Sequence, residues 1–122
     1  MTDFGEHVDR PDVLDGITYK IPRENGSVYV TINDLIYNGT HRPYEIFVRC
    51  DDPNTNEWTT ALTRVLSATL RKGGKLSFLI DELLQVHNPA GGFWSKGKYQ
   101  PSTVAAIGEV INKHFESIGF QE

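Results

Sequence analysis

Alternating apolar and polar positions predict three β-strands in the first half of the chain. Ile17, Tyr19 and Ile21 occupy every second position before Pro22, which is the two-residue period of a strand. The same period returns over residues 28–36 and 44–50. Glu24–Ser27 and Asn38–Thr40 separate these runs, and both contain residue types that accept turn conformations. Three strands joined by short turns predict an antiparallel meander.

The apolar period becomes helical after residue 50. Asn54 and Glu57 have the spacing of a capping box, which predicts a helix start, and Gly73 with Gly74 predicts its end. The positions expected to face the core are Trp58, Leu62, Val65, Leu66 and Leu70.

Two further helices are predicted by the same reasoning. Ser77 is the expected cap of a short helix from Phe78 to about His87. Ser102 is the expected cap of the last one, whose apolar stripe consists of Val104, Ile107, Ile111, Phe115 and Ile118. Strands followed by helices predict an α+β fold, with about three helices packed on one face of a three-stranded or slightly larger meander.

Length and charge limit the classes of protein. The 122 residues suffice for one domain, which we expect over residues 17–122, after a flexible acidic arm over residues 1–16. A net charge of −4 argues against binding to duplex nucleic acid. The single cysteine, Cys50, excludes a disulfide framework and is expected to be buried. No apolar run is as long as a membrane span, so we expect a soluble cytoplasmic protein without membrane contact.

The segment over residues 88–108 carries the most informative candidate chemistry. No carboxylate occurs between Glu82 and Glu109, so its two lysines lie beside a predicted helix start without a neutralising neighbour. Helix starts and lysines favour anions, and aromatic faces can stack on a base. The candidate ligand-binding residues are therefore Trp94, Lys96, Lys98, Tyr99 and Ser102. The alternative is a surface loop whose aromatic side chains pack on the core.

Arg64, Ser67 and Arg71 fall on one side of the first predicted helix. The simpler interpretation is a solvated helix face; the functional interpretation adds Arg64 and Arg71 to the ligand-binding residues. Other chemistries lack support in the sequence. The four histidines are scattered, and no phosphate-binding loop or nucleophile motif occurs. We therefore expect no metal, no cofactor and no catalytic residue.

Several ordered blocks resemble a known domain family. They are Arg10–Lys20, Val28–Asn33, Pro43–Val48, Glu57–Arg64 and Gly91–Tyr99, the last followed by Pro101 and Ser102. Together they resemble the TSCPD domain, an accessory domain of adenosylcobalamin-dependent (class II) ribonucleotide reductases. Family members often carry cysteines that are supposed to bind metal, whereas this chain has only Cys50. The resemblance implies a module without catalysis of its own, because the reductase active site lies in a much larger barrel.

Two functions follow as hypotheses. The first is a non-catalytic module that binds a nucleotide or another phosphate ligand, working alone at the size of viral proteins that sequester nucleotide signals. The second is a docking or regulatory subunit that contacts the large chain of a ribonucleotide reductase. Because a three-stranded sheet leaves an edge exposed, we also expect a homo-oligomer.

Overall fold

The computed structural model describes residues 8–37 and 39–120. Its elements are β1 (Asp15–Ile21), β2 (Val28–Tyr37), β3 (Thr40–Cys50), α1 (Pro53–Arg71), α2 (Ser77–Leu84), β4 (Phe93–Ser95), β5 (Lys98–Gln100) and α3 (Thr103–Ser117). The predicted α+β fold, a three-stranded antiparallel sheet followed by three helices, is confirmed. The short hairpin formed by β4 and β5 was not predicted.

The three long strands pair in sequence order, β1–β2–β3, and both pairings are antiparallel. Ile17 lies opposite Ile32 and Tyr19 opposite Val30, so the two-residue period places the apolar side chains on one face. β3 begins at Thr40, four residues earlier than predicted. Asn38, in the turn predicted before it, lies outside the described residues.

The inner face of the sheet and the three helices form the hydrophobic core. Buried side chains come from all three strands and from every helix: Ile21, Val28, Val30, Ile32, Ile46, Val48, Cys50, Leu66, Leu70, Leu76, Ile80, Ala106, Ile107, Ile111 and Phe115. The predicted burial of Cys50 is confirmed. In α3 the predicted stripe also holds, because Ile107, Ile111 and Phe115 are buried.

The buried face of α1 differs from the predicted one. Trp58 and Val65 are exposed, whereas Thr55, Thr59 and Thr63 are buried. Thr59 and Thr63 each donate a hydrogen bond to the carbonyl four residues earlier, at 2.9 and 3.0 Å. Since these bonds satisfy the hydroxyls within the helix, the threonine methyl groups can pack against the sheet. The prediction was right for Leu66 and Leu70, which are buried. It was wrong for Trp58 and Val65, because it assigned the buried face to large apolar side chains and not to the threonines.

Ser67 of α1 lies against the edge of β3. Its hydroxyl donates to the carbonyl of Ile46 at 2.8 Å and accepts from the amide of the same residue at 2.9 Å. The amide and the carbonyl of Ile46 therefore point away from β2, and α1 covers this edge of the sheet. The interpretation of Ser67 as part of a solvated face was wrong, since only 3% of it is exposed.

Two predicted helix starts were also wrong. α1 begins at Pro53 with Asp52 as its N-cap residue, because the fixed φ of proline suits the first helical position. α2 begins with Ser77 inside the helix and ends at Leu84, short of the predicted His87. After Leu84 the amides of Gln85 and Val86 bond the carbonyls three residues earlier, at 3.2 Å each, so the α-helical pattern ends there.

The lead-in before β1 contacts β3 where it is described. The guanidinium of Arg10 donates to both carboxylate oxygens of Glu45 at 3.0 Å. Tyr44 donates its hydroxyl hydrogen to the carbonyl of Val8 at 2.7 Å. Residues 1–7 of the predicted acidic arm lie outside the described residues.

Candidate functional site

The segment predicted to bind an anion folds as a tight β-hairpin. Lys96 and Gly97 form its turn with φ angles of 53° and 77°, the left-handed conformations that a two-residue hairpin requires at both positions. Trp94 lies opposite Tyr99, and their rings meet edge to face with centroids 5.7 Å apart. The alternation of strand side chains then places the neighbours of these aromatic residues on the other face of the hairpin.

That other face contacts a carboxylate of α3. Glu109 accepts a hydrogen bond from Gln100 at 3.0 Å and forms an ion pair with Lys98. Lys113, one turn along α3, lies 3.7 Å from the same carboxylate. Burial by itself raises the pKa of Glu109, but the bonds from Lys98 and Gln100 outweigh it and leave this pKa below its ordinary value. Glu109 is therefore a charged anchor between the hairpin and the helix.

The edge strand β1, the hairpin and α3 enclose a cleft of about 590 Å³. Its charged lining consists of Lys20, Lys96, Lys98, Lys113 and Glu109, and its apolar lining of Ile17, Ile21, Ala106 and Val110. Four lysines and one glutamate leave three net positive charges around the cleft. Within the part of the chain that the structure describes, neither Lys20 nor Lys96 forms an ion pair.

The structure places only two of the seven predicted ligand-binding residues in this cleft, Lys96 and Lys98. Trp94 and Tyr99 lie on the opposite face of the hairpin and are exposed. Arg64 and Arg71 line a separate depression of about 170 Å³ between α1 and β3. The predicted convergence is therefore limited to the two lysines of the hairpin. Arg64 and Arg71 were expected to contribute only if their helix face met this loop, and they line the other depression.

Ser102 has a capping role. Its hydroxyl accepts a hydrogen bond from the amide of Ala105 at 2.9 Å and donates one to the carbonyl of Val86 at 2.6 Å. The predicted cap of the last helix is confirmed. The hydroxyl already occupies an amide of the helix start, and only 5% of Ser102 is exposed. This residue therefore acts as a helix cap, and it is not among the residues that line the cleft.

A chain of polar side chains, which the sequence analysis missed, runs from the cleft into the core. Tyr19 lines the cleft, and its hydroxyl lies 2.6 Å from Nδ1 of His114. Nε2 of the same ring lies 3.0 and 2.9 Å from the two carboxylate oxygens of Asp34. Burial raises the pKa of Tyr19, and the nearby hydroxyl of Ser117 partly offsets this effect.

The sequence did contain a signal for this chain of polar side chains. Asp34 continues the alternation of Val28, Val30 and Ile32 onto the buried face of β2, and His114 follows Ile111 by three residues on the buried face of α3. His114 is fully buried and Asp34 is 5% exposed. Polar residues at such buried positions need hydrogen-bond partners. The pattern therefore indicates that Asp34 and His114 bond to each other.

The segments that form the cleft fall within one stretch that a protein-family model matches. The model of the TSCPD domain matches residues 4–115, which include β1, the hairpin and nearly all of α3. The chain belongs to the TSCPD family. TSCPD is a domain of class II ribonucleotide reductases, so this chain is a module related to those enzymes. Neither the curated proteins nor the solved structures contain a match to it.

Two further features of this TSCPD domain concern metals and membranes. Among residues 8–37 and 39–120, no three histidine, cysteine or carboxylate side chains are grouped as a metal site would need. Over the same residues, no helix has the length and apolar character that crossing a bilayer requires.

Proposed function

We propose that this TSCPD domain binds a small phosphate-bearing ligand, such as a nucleotide, in the cleft between β1, the hairpin and α3, without catalysing a reaction. The observation that carries the proposal is the lining of that cleft, where four lysines surround one carboxylate. The whole chain has a net charge of −4. A local excess of three positive charges in a concave site therefore attracts anions that the rest of the surface repels.

The size and the lining of the cleft agree with this proposal. About 590 Å³ lies within the usual range of small-molecule sites. Lys96 lies at the tip of the hairpin, and the side chain of Lys98 is already held by Glu109. Binding of a ligand therefore costs little side-chain conformational entropy at Lys98. The apolar lining of Ile17, Ile21, Ala106 and Val110 offers contact area for an organic group attached to the phosphate.

Calorimetry with pyrophosphate and a panel of linear and cyclic nucleotides tests the proposal. At least one of these anions should bind, and Lys96→Ala combined with Lys98→Ala should weaken its binding at least about tenfold, since each exposed charge contributes on the order of 1 kcal/mol. Lys72→Ala combined with Lys75→Ala is the matched control. It removes the same charge from two exposed lysines that do not line the cleft.

Two results would reject the binding proposal. One is the absence of binding by any member of the panel to the unmodified protein. The other is an equal loss of affinity in the two double variants, because such a loss would reflect the net charge of the protein and not the cleft.

A second candidate function is docking to the large chain of a ribonucleotide reductase. The outer face of the hairpin favours it, because Trp94 is 72% exposed and Tyr99 is 48% exposed. Exposed aromatic pairs of this kind are typical of the residues that dominate protein interfaces. Co-purification with a class II reductase large chain, lost in Trp94→Ala and retained in Trp58→Ala, is the expected result. Retention in both variants would contradict a role for the hairpin.

A further inference from the structure

The polar chain from Tyr19 to Asp34 gives the cleft a hydrogen-bonding preference. Tyr19 lies on β1 at the wall of the cleft, Asp34 on β2, and His114 on α3. The imidazole is completely buried between the other two side chains. Tyr19 and Asp34 lie on the same face of the sheet, and His114 of α3 lies between them. Because the three side chains belong to different elements, the orientation of the tyrosine hydroxyl is fixed by the fold.

The geometry and the protonation state of the ring together set the positions of the hydrogens. A carboxylate only accepts hydrogen bonds, and both oxygens of Asp34 lie within 3.0 Å of Nε2 of His114, so Nε2 carries a hydrogen. In the neutral imidazole Nδ1 is then an acceptor. With only one hydrogen on the ring, the hydroxyl of Tyr19, 2.6 Å from Nδ1, is the donor of this bond. The tyrosine oxygen is left with lone pairs but no free hydrogen.

The neighbouring hydroxyl does not change this assignment. Ser117 donates its hydrogen to the carbonyl of His114 at 2.7 Å, so that hydrogen is already in use. A group in the cleft that reaches the oxygen of Tyr19 must therefore supply the hydrogen itself. A bare phosphate at neutral pH is chiefly an acceptor and is a poor partner at this point, whereas the hydroxyl and amino groups of an organic ligand are suitable.

We propose that the cleft recognises a nucleoside phosphate, with its phosphate at the lysines and a sugar hydroxyl or base amino group donating to the oxygen of Tyr19. This inference rests on the proposed phosphate binding and adds Tyr19 as the residue that selects the organic part. The apolar side chains Ile17 and Ile21 flank Tyr19 on the same face of β1 and lie in the cleft. They offer a surface for the flat face of a base or sugar.

Titrations with three probes test the inference: pyrophosphate, ribose 5-phosphate and a set of nucleoside diphosphates. In the unmodified protein at least one nucleoside diphosphate should bind about tenfold more tightly than pyrophosphate. Tyr19→Phe should remove most of that advantage, a loss of about five- to tenfold for one hydrogen bond, and leave pyrophosphate binding unchanged. The matched control is Tyr29→Phe, which removes a hydroxyl from the neighbouring strand at a residue that does not line the cleft.

The ribose 5-phosphate titration locates the donor. A loss of affinity for this probe in Tyr19→Phe assigns the donor to the sugar. A loss confined to the nucleotides assigns it to the base. Both results support the inference.

Two outcomes overturn the inference while the phosphate-binding proposal stands. One is equal affinity of the unmodified protein for pyrophosphate and every nucleotide. The other is unchanged nucleotide affinity in Tyr19→Phe. Failure of pyrophosphate and of all nucleotides to bind would instead overturn both proposals.

Nitrogen-15 NMR of the histidine side chains provides a test that does not depend on a ligand. The spectrum of the unmodified protein at neutral pH should show His114 as the tautomer with hydrogen on Nε2 and an accepting Nδ1. The opposite tautomer, or a ring with hydrogen on both nitrogens, would leave the hydroxyl of Tyr19 free to donate and would overturn the inference.

Discussion

Replacing Ser67 with alanine tests whether one hydroxyl of α1 seals the edge of the sheet. The hydroxyl bonds both the amide and the carbonyl of Ile46, at 2.9 and 2.8 Å, and the site is buried. Its removal leaves two main-chain groups unpaired. Each unpaired buried group costs about 1–3 kcal/mol, which gives about 2–6 kcal/mol for the two groups. Because losses above about 4 kcal/mol are exceptional for one substitution, Ser67→Ala should lower the free energy of unfolding by about 2–4 kcal/mol.

That loss is large for a domain of this size. Stabilities of such domains are on the order of 5–15 kcal/mol, and at about 4 °C per kcal/mol the melting temperature should fall by roughly 10 °C. Urea unfolding followed by circular dichroism measures the free energy of unfolding. The dependence of this free energy on urea concentration should stay unchanged if only the native contact is lost.

Thr60→Ala is the matched control on the same helix. Thr60 is exposed, and its hydroxyl bonds only the carbonyl of Asn56, at 2.7 Å. Both changes raise helix propensity by a few tenths of a kcal/mol, so this effect cancels in the comparison. Thr60→Ala should change the stability by less than about 0.5 kcal/mol. Equal effects of the two substitutions would show that water or a shift of α1 satisfies Ile46, and would refute the sealed-edge argument.

Two further predictions concern charge and backbone space. Burial raises the pKa of Glu45, but the hydrogen bonds to its carboxylate, of which those from Arg10 come first, outweigh this effect and place its pKa below the ordinary 4.5. The stabilisation from this carboxylate is therefore present above pH 4.5 and is lost as the pH falls through the lower pKa of the folded protein. Arg10→Gln should reduce the amount of stability that the protein loses between about pH 5 and pH 3, measured by urea unfolding. The same pH dependence of stability in the variant and the unmodified protein would contradict this. A Cβ at Gly92 would overlap the carbonyl of Gln100, so Gly92→Ala should unpair the hairpin and shift the tryptophan emission. Gly97→Ala, where φ is 77° and nothing lies within 4 Å, should cost only about 1 kcal/mol of backbone strain and keep the hairpin; identical emission in both variants would count against the steric argument.

The strands were predictable because their pattern depends only on local alternation. Ile17, Tyr19 and Ile21 fall on one face whatever the strand pairs with. The same holds for the apolar stripe of α3. The buried face of α1 was not predictable in this way, since Thr59 and Thr63 hide their hydroxyls in bonds to the helix itself. From residue type alone, a threonine is not expected to be buried in preference to Trp58.

The candidate site was predicted only in part. The absence of carboxylates between Glu82 and Glu109 pointed to Lys96 and Lys98, and both line the cleft. The expectation that neither lysine is neutralised was wrong for Lys98, which pairs with Glu109. The sequence separation hid their partners. Lys20 lies on a strand far earlier in the chain, and Glu109 lies just after the segment of residues 88–108.

By itself, the sequence determined the strand faces, the order of the elements and the membership of the TSCPD family, because each depends on residues that are close together or on ordered blocks along the chain. Only the tertiary structure decided which side chains share the cleft. Strand alternation turned Trp94 and Tyr99 away from it, the cap at Ser102 occupied the helix start, and packing of α3 on the sheet joined Tyr19 to His114 across 95 positions. Contacts of that range depend on how the elements pack in three dimensions, which no local pattern records.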